Sequence, residues 1–307
     1  MMLEIAIMLE GQNGLNWQRF QRIAHAVQEL GFVGLYRSDH YTNAAPPDLD
    51  SLECWVSLAW LATNTHRIEF GQLVSPLSFR QPTMLARMAR DVDDLSGGRL
   101  TLGLGAGWQE REHTNYGWDL LELKERFVRL EEGTRIVKHL LHDATPLTFN
   151  GKYFRTNEAV MVPRPQRRIP ILIGGNGEKK TLPLVAKYAD EWNATFQTAA
   201  SYKRLNTLLD QLLIANKRLS TEVRRSLMTG LVFGKDDADI QRQLVTRNRT
   251  MEQMKERGVV VGTASMCVEH LGQLVEAGVQ RVMLQWMNFD DLDGLETFAH
   301  AVLSQFK

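Results

Sequence analysis

The sequence predicts an α/β fold, a single (β/α)8 (TIM) barrel with insertions spanning residues 1–307, and three observations lead there. Short apolar runs alternate with longer amphipathic ones from end to end, about eight strand–helix units follow one another, and no Pro-, Gly- or Ser-rich linker separates two halves. Such alternation calls for a parallel sheet with helical crossovers. An open doubly wound sheet satisfies the alternation as well as a closed barrel does. The count of eight without a domain break favours the barrel, which routinely exceeds roughly 200 residues as one unit.

Residues 3–9 read as the first strand. Trp17, Phe20, Ile23, Val27 and Leu30 fall at helical spacing and predict a helix over 15–30, stopped by Gly31. A strand over 32–36 leads into a polar loop over 37–50 and a helix over about 51–62. The third strand covers 68–74. Pro82 then stands where a first helical residue belongs, and Leu85, Met88, Val92 and Leu95 mark one helix face, closed by Gly97 and Gly98. The strand over 100–104 is followed by a long charged helix over about 122–142. Asn150 and Gly151, set between short apolar runs, predict an inserted β-hairpin over 147–161.

The alternation resumes with a strand over 169–173, a helix over 180–188, a short strand over 191–195 and a helix over about 202–218. A strand over 226–233 precedes a polar, helical excursion over 236–257 and a short strand over 259–261. A helix near 265–277, a last strand over 279–284 and a helix over 292–306 complete the chain.

Composition excludes some functions. Thirty-six basic residues balance thirty-six acidic ones, so no general field attracts nucleic acid or an anionic membrane, and an anion must be held by local groups. Cys54 and Cys267 stand far apart in apolar-periodic stretches and read as two buried, reduced thiols. The start has no basic region and no long apolar core, and nowhere do 18 consecutive apolar residues occur. The cytoplasm is the expected compartment.

In a barrel the chemistry lies in the loops after the strands. After the second strand comes Arg37-Ser38-Asp39-His40-Tyr41, which places an imidazole at the mouth with Asp39 available to fix its tautomer, although a surface Asp–His pair satisfies the same residues. Gly71 to Pro76 signals only a turn on its own. Gly103-Leu104-Gly105-Ala106-Gly107-Trp108 lets backbone approach a ligand, but it lacks the third glycine of a dinucleotide fingerprint. Beyond it, Glu110, Glu112, His113 and Tyr116 form a polar cluster that reads equally well as a solvated face. The most informative loop is Gly174-Gly175-Asn176-Gly177 before Lys180 and Thr181, where exposed N–H groups at a helix start suit a phosphate. It is not a Walker A loop, since two residues separate Gly177 from Lys180. The chain holds no HExxH, no GxSxG elbow and no Cys in a mouth loop, which argues against a metal hydrolase and against nucleophilic hydrolysis. No metal site is expected.

Taken together, these segments resemble the luciferase-like monooxygenase family over nearly the whole chain. The resemblance rests on Ser38-Asp39-His40, on Gly71-Gln72-Leu73-Val74 with Phe79-Arg80-Gln81-Pro82, on Leu95-Ser96-Gly97-Gly98-Arg99-Leu100, and on the two glycine loops. Gly177-Glu178-Lys179-Lys180-Thr181-Leu182, Tyr188-Ala189-Asp190-Glu191-Trp192-Asn193 and Gly278-Val279-Gln280-Arg281-Val282 are most similar to the F420-dependent branch. The resemblance implies an oxidoreductase that exchanges a hydride between coenzyme F420 and a small organic substrate. The alternatives are an FMN-dependent monooxygenase or reductase and a non-catalytic flavin-binding barrel. It implies His40 as acid or base, a non-proline cis peptide at Leu73–Val74 against the ring, and Gly105, Ala106 and Trp108 bordering it. It also implies a phosphate cradle of Gly174, Gly175, Asn176 and Gly177, with Asp39 among the cofactor contacts. Both cofactors end a ribityl chain in phosphate, so the cradle suits either. Arg164, Arg167 and Arg168 are candidates for the acidic tail of F420, and the two insertions are candidates for covering the site. A homodimer through apolar helix faces such as Leu52, Trp55, Leu58 and Trp60 is expected from the same resemblance.

Overall fold

In a computed structural model, which describes residues 2–306, eight parallel strands close into one ring. They are β1 (Glu4–Leu9), β2 (Gly34–Arg37), β3 (Glu69–Gln72), β4 (Leu100–Gly105), β5 (Ile171–Gly174), β6 (Glu191–Thr195), β7 (Arg224–Phe233) and β8 (Arg281–Gln285). Each pairs with the next, and β8 pairs back onto β1, with Ile7 opposite both Leu35 and Leu284. The closed barrel is therefore the correct alternative, not the open sheet.

Strand residues alternate faces with period two, and the packing follows that period. Ala6 and Met8 point into the barrel, where they meet Tyr36, Leu172, Met228 and Met283. Ile5, Ile7 and Leu9 point outward into the larger core between strands and helices. That outer layer is built from α1 (Trp17–Leu30), α2 (Cys54–Asn64), α3 (Pro82–Leu95), α4 (Glu110–Tyr116), α5 (Leu123–His142), α6 (Thr181–Tyr188), α7 (Ala199–Ala215), α8 (Asp237–Arg247), α9 (Met251–Glu256), α10 (Ala264–Glu276) and α11 (Leu292–Val302). Cys54 and Cys267 are both buried and free.

Several boundaries differ from the sequence expectation for local reasons. The first helix begins at Trp17 because the Asn16 side chain accepts the Arg19 N–H and Leu15 bridges to Ser51. The second begins at Cys54 because the Glu53 carboxylate caps the Val56 N–H. The third strand stops at Gln72: the Leu73–Val74 peptide is cis, and Ser75–Pro76 then pairs with β4 as a two-residue strand. The last helix tightens into a 3-10 turn over Leu303–Phe306.

The two insertions are present. Leu147–Asn150 and Arg155–Ala159 form an antiparallel hairpin on the flank of α5, where the Glu132 carboxylate accepts the N–H groups of Lys152, Tyr153 and Phe154. The excursion after β7 folds as α8 and α9, which enclose a small core of Ile240, Leu244, Val232, Val259 and Val261. Val260–Gly262 adds a short strand to the end of β7. No helix among the described residues is long and apolar enough to cross a membrane.

Candidate active site

A cavity of about 520 Å³ opens at the C-terminal ends of the strands. Its walls come from successive strand ends: Glu10 and Gln12 after β1, His40 after β2, Leu73, Val74 and Pro76 after β3, and Gly105 to Trp108 after β4. Gly174, Gly175 and Thr181 contribute after β5, Asn193, Thr195 and Phe196 from β6, and Met228 from β7. The start of α5 overhangs it with Leu123, Arg126 and Phe127.

Val74 explains several of the glycines. A Cβ added to Gly105 would lie 2.3 Å from Val74 Cγ2, and one added to Gly103 or Gly174 would lie 3.1 or 3.0 Å from Val74 Cγ1. Glycines on β4 and β5 thus make room for a valine from β3 that projects across the mouth. The sequence suggested that Gly103 and Gly105 serve a ligand directly, whereas in the structure Gly105 first makes room for Val74, and Gly103 first makes room for the Gln72 carbonyl, 2.1 Å from where its Cβ would lie.

His40 sits beside this bulge with its ring edge-on to Trp108 at 5.6 Å. Its Nδ1 faces Glu112 Oε1 at 3.0 Å, and the second oxygen of Glu112 accepts the Tyr41 N–H at 2.9 Å. Glu112 is 1% exposed. It lies on α4, in the stretch whose polar residues read equally well as solvated. Burial opposes a charge on His40, but the hydrogen bond and charge of Glu112, helped by Glu10 and Asp39, outweigh it and raise the imidazole above its ordinary range. With Glu112 Oε1 as acceptor the His40 Nδ1–H donates to it, which leaves Nε2 of the neutral ring as the basic atom.

Asp39 does not orient His40. Its carboxylate takes both Nε and Nη2 of Arg80 at 3.0 and 2.6 Å and the Ser75 hydroxyl at 2.6 Å, so it ties the β2 and β3 loops together behind the cavity. The orienting role suggested for it belongs to Glu112, 72 residues away in the chain.

The glycine loop after β5 divides in two. Gly174 and Gly175 line the cavity; Asn176 and Gly177 do not. Asn176 instead accepts the Thr195 N–H and donates to the Thr195 carbonyl, fixing the loop to β6. Gly175 has φ +124°, and an added Cβ there would press on the Thr181 side chain at 3.3 Å. No side chain caps α6; Leu182 donates its N–H to the Gly177 carbonyl and Pro183 has none, so Thr181 supplies the first-turn N–H that faces the loop. On the wall of the same cavity, Nε of Arg126 is buried without a partner, while its Nη1 donates to the Gly107 carbonyl. A backbone cradle that a Cβ would crowd, a helix start without a side-chain cap and an unpaired guanidinium N–H together fit a phosphate-terminated cofactor. Arg126 escaped the sequence reading because nothing in a charged helix marks which arginine turns inward.

Three other expectations are corrected. Arg167 pairs with Asp93 and the Leu100 carbonyl, Arg168 with Asp190, and Arg164 with the Asp143 carbonyl. These residues precede β5, so Arg167 and Arg168 gather at the N-terminal end of the barrel, away from the mouth. Neither the hairpin nor α8 and α9 contributes a residue to the cavity wall. Trp55 and Leu58 are buried in the chain's own core and are not free for a partner.

A closed parallel barrel with a buried His–carboxylate pair and two glycine loops around a cavity at its mouth has the architecture of a barrel enzyme. Residues 2–281 match the family model described as luciferase-like monooxygenase, and the chain belongs to that family. It is similar to the F420-dependent glucose-6-phosphate dehydrogenase of Intrasporangium calvum, 26% identical over 90% of this chain and 91% of that one. The enzyme of the same name from Kineococcus radiotolerans is 29% identical over 69% of this chain, a match that spans 63% of that protein. Among solved structures, an F420-dependent secondary alcohol dehydrogenase in complex with an F420-acetone adduct superposes with a TM-score of 0.88 at 16% identity, with full coverage of both chains. The coenzyme F420-dependent tetrahydromethanopterin reductase of Methanopyrus kandleri superposes with 0.80 at 17%, also over both chains in full. At these identities the structural likeness speaks for the fold.

Proposed function

We propose that this protein is an F420-dependent oxidoreductase that moves a hydride between the deazaflavin and a small organic substrate, with His40 exchanging the proton. The observation that carries the reading is the His40–Glu112 pair, set at the mouth beside the Val74 bulge and opposite the phosphate cradle. Leu73, Val74, Gly105, Ala106 and Trp108 would hold the ring system, and Gly174, Gly175, Thr181 and Arg126 the phosphate. When bound, the oxidised deazaflavin supplies a ring carbon that accepts a hydride, and the reduced form gives one back. His40 takes the substrate hydroxyl proton at Nε2 in the oxidative direction and returns it in the reverse one. Glu112 holds the tautomer and offsets the charge that forms on the ring. Trp108, edge-on to His40, limits the directions from which a substrate hydroxyl reaches Nε2.

FMN fits the same cradle, and the sequence relatives that span nine-tenths of this chain favour F420. A non-catalytic barrel is disfavoured by the open cavity and the intact proton-transfer pair. The reading includes a homodimer, with the contact moved from the buried tryptophan face to Val56 and Met84, 57% and 58% exposed on the neighbouring helices α2 and α3. A monomer mass by light scattering would remove that part. The reading also places the protein in the cytoplasm, where two free buried thiols stay reduced.

The deciding experiment is a titration of the cofactor-free protein with F420 and, separately, FMN, following tryptophan fluorescence, since Trp108 lines the cavity. Saturable binding of F420 in preference to FMN is expected. Preference for FMN would move the enzyme to oxygen-using chemistry, and binding of neither would defeat the cradle.

A further inference from the structure

We propose that the substrate of this site is an uncharged alcohol, or the matching carbonyl compound, with an apolar body, and that Glu10 and Glu112 exclude phosphorylated sugars. This rests on the deazaflavin reading above and names a substrate class for it.

The cavity wall carries few charged groups, and its one guanidinium is assigned to the cofactor phosphate in the reading above. Arg126 is the one Lys or Arg side chain on its wall among the described residues, and it sits at the Gly107 carbonyl beside the cradle. Glu10 follows β1, which stands across the ring from β5 and its glycine loop. Both Glu10 oxygens are held by neutral amides: Gln12 Nε2 at 2.8 Å and Gln285 Nε2 at 2.5 Å. Among the described residues no Lys or Arg forms an ion pair with Glu10 or Glu112, and the only cationic partner of either is His40. The reacting end therefore holds two carboxyl groups, one imidazole and no fixed positive charge paired with either carboxyl. A phosphate ester brings up to two further negative charges at neutral pH and meets no guanidinium or ammonium there.

The rest of the wall is mainly apolar. Phe196, Met228 and Phe127 face the cavity; Gln12 gives one amide N–H to Glu10, Asn193 gives its two to Ser226 and Met283 Sδ, and Thr181 and Thr195 are the uncharged hydroxyl side chains on the wall. One hydroxyl is served by Nε2 of His40, and the body of the molecule meets carbon. The step balances: the hydroxyl proton goes to Nε2, the hydride on the same carbon goes to the oxidised deazaflavin, and the alcohol leaves as the ketone or aldehyde. With dianionic phosphate recognition removed, discrimination falls to the carboxylates, since like-charge juxtaposition disfavours the wrong ligand more strongly than a missing contact does.

The test uses the F420-loaded enzyme and matched pairs, glucose with glucose 6-phosphate and glycerol with glycerol 3-phosphate, together with 2-butanol and cyclohexanol. Consumption of the oxidised cofactor is followed. Each uncharged member that reacts is expected to exceed its phosphorylated partner at least about tenfold in kcat/KM. A phosphorylated member that reacts better overturns the inference. A second readout needs neither cofactor nor turnover: quenching of Trp108 fluorescence, taken as wild type minus Trp108→Phe, by caesium, iodide and acrylamide. Caesium should quench more strongly than iodide, with Glu10→Gln bringing the two together. Iodide quenching equal to or above that of caesium in the wild type overturns the inference, even if no alcohol in the panel reacts. Failure to bind F420 would instead sink the functional reading while the quenching order still judges the charge argument.

Discussion

His40 combines burial, which opposes its charge, with a buried carboxylate that restores it. Two tests separate its chemistry from its structural contacts. His40→Ala removes Nε2 but leaves the Val74 bulge and the glycine cradle in place, so kcat should fall by about 10²–10⁴ while F420 affinity changes little. Fluorescence titration beside steady-state rates checks both halves, and full activity in the variant would end the assigned role. Glu112→Gln keeps the shape but loses the charge that raises the imidazole. Alcohol oxidation needs neutral His40, so its rate rises as pH climbs through the His40 pKa. In the variant that limb moves to lower pH, which a pH–rate profile reads; an unmoved limb would mean that another group titrates. The sequence placed His40 at the mouth because a residue just past a barrel strand faces there. It hid Glu112, because a carboxylate 72 residues away in a polar run has the same local pattern as a solvated helix face. Asp39 was the nearer candidate in the chain, but it spends its charge on Arg80.

At the scale of single elements, glycines and one carboxylate do most of the positioning. Gly105→Ala puts a methyl 2.3 Å from a Val74 carbon, on a side chain with no long flexible end to swing away. Overpacking of this kind costs about 1–3 kcal/mol, and here it displaces Val74 itself, so both thermal stability and cofactor affinity should drop. A Gly105→Ala protein with unchanged melting and unchanged F420 binding would show that Val74 yields freely. The hairpin rests on Glu132, whose carboxylate takes three backbone N–H groups. Glu132→Ala leaves those donors without their acceptor and should cost about 1–3 kcal/mol by chemical denaturation, with turnover retained, since no hairpin residue lines the cavity. Sequence periodicity located both insertions and most helices. It misjudged ends where a capping side chain set the boundary, as Asn16 and Glu53 do. The cis peptide at Leu73–Val74 was legible only through the family resemblance, for nothing in the residue types Gly-Gln-Leu-Val departs from an ordinary strand.

Across the whole molecule, ring closure is the property that periodicity could not decide, since eight alternating units also suit an open sheet. What the chain adds to the strand ladders is a buried cation at the N-terminal end of the barrel. Arg281 on β8 is fully buried, with Nε on Glu4 of β1, Nη1 on the Tyr36 hydroxyl of β2 and Nη2 on Glu69 of β3, each at 2.6 Å. Its Nη1 also stands 3.7 Å from Glu191 of β6. One guanidinium thus links five of the eight strands and joins the last strand to the first three. Burial raises the Glu191 carboxyl above its ordinary range, and Arg281 is the main influence that holds it down. Arg281→Met fills similar volume but strands that carboxylate, so the loss should reach about 3–5 kcal/mol at neutral pH. The pH dependence gives the sign. A carboxyl whose folded pKa lies above its unfolded value destabilises once pH exceeds the unfolded pKa, and the full penalty is present above the folded one. Removing Arg281 raises the folded value further, so the deficit relative to wild type should be largest near neutrality and shrink as pH falls toward the ordinary carboxylate range. Urea denaturation of both proteins across that range reads the difference directly. A deficit that stays constant or grows on acidification would mean that Arg281 acts through packing and its bonds to Tyr36 alone, leaving the charge of Glu191 with no part in holding the ring closed.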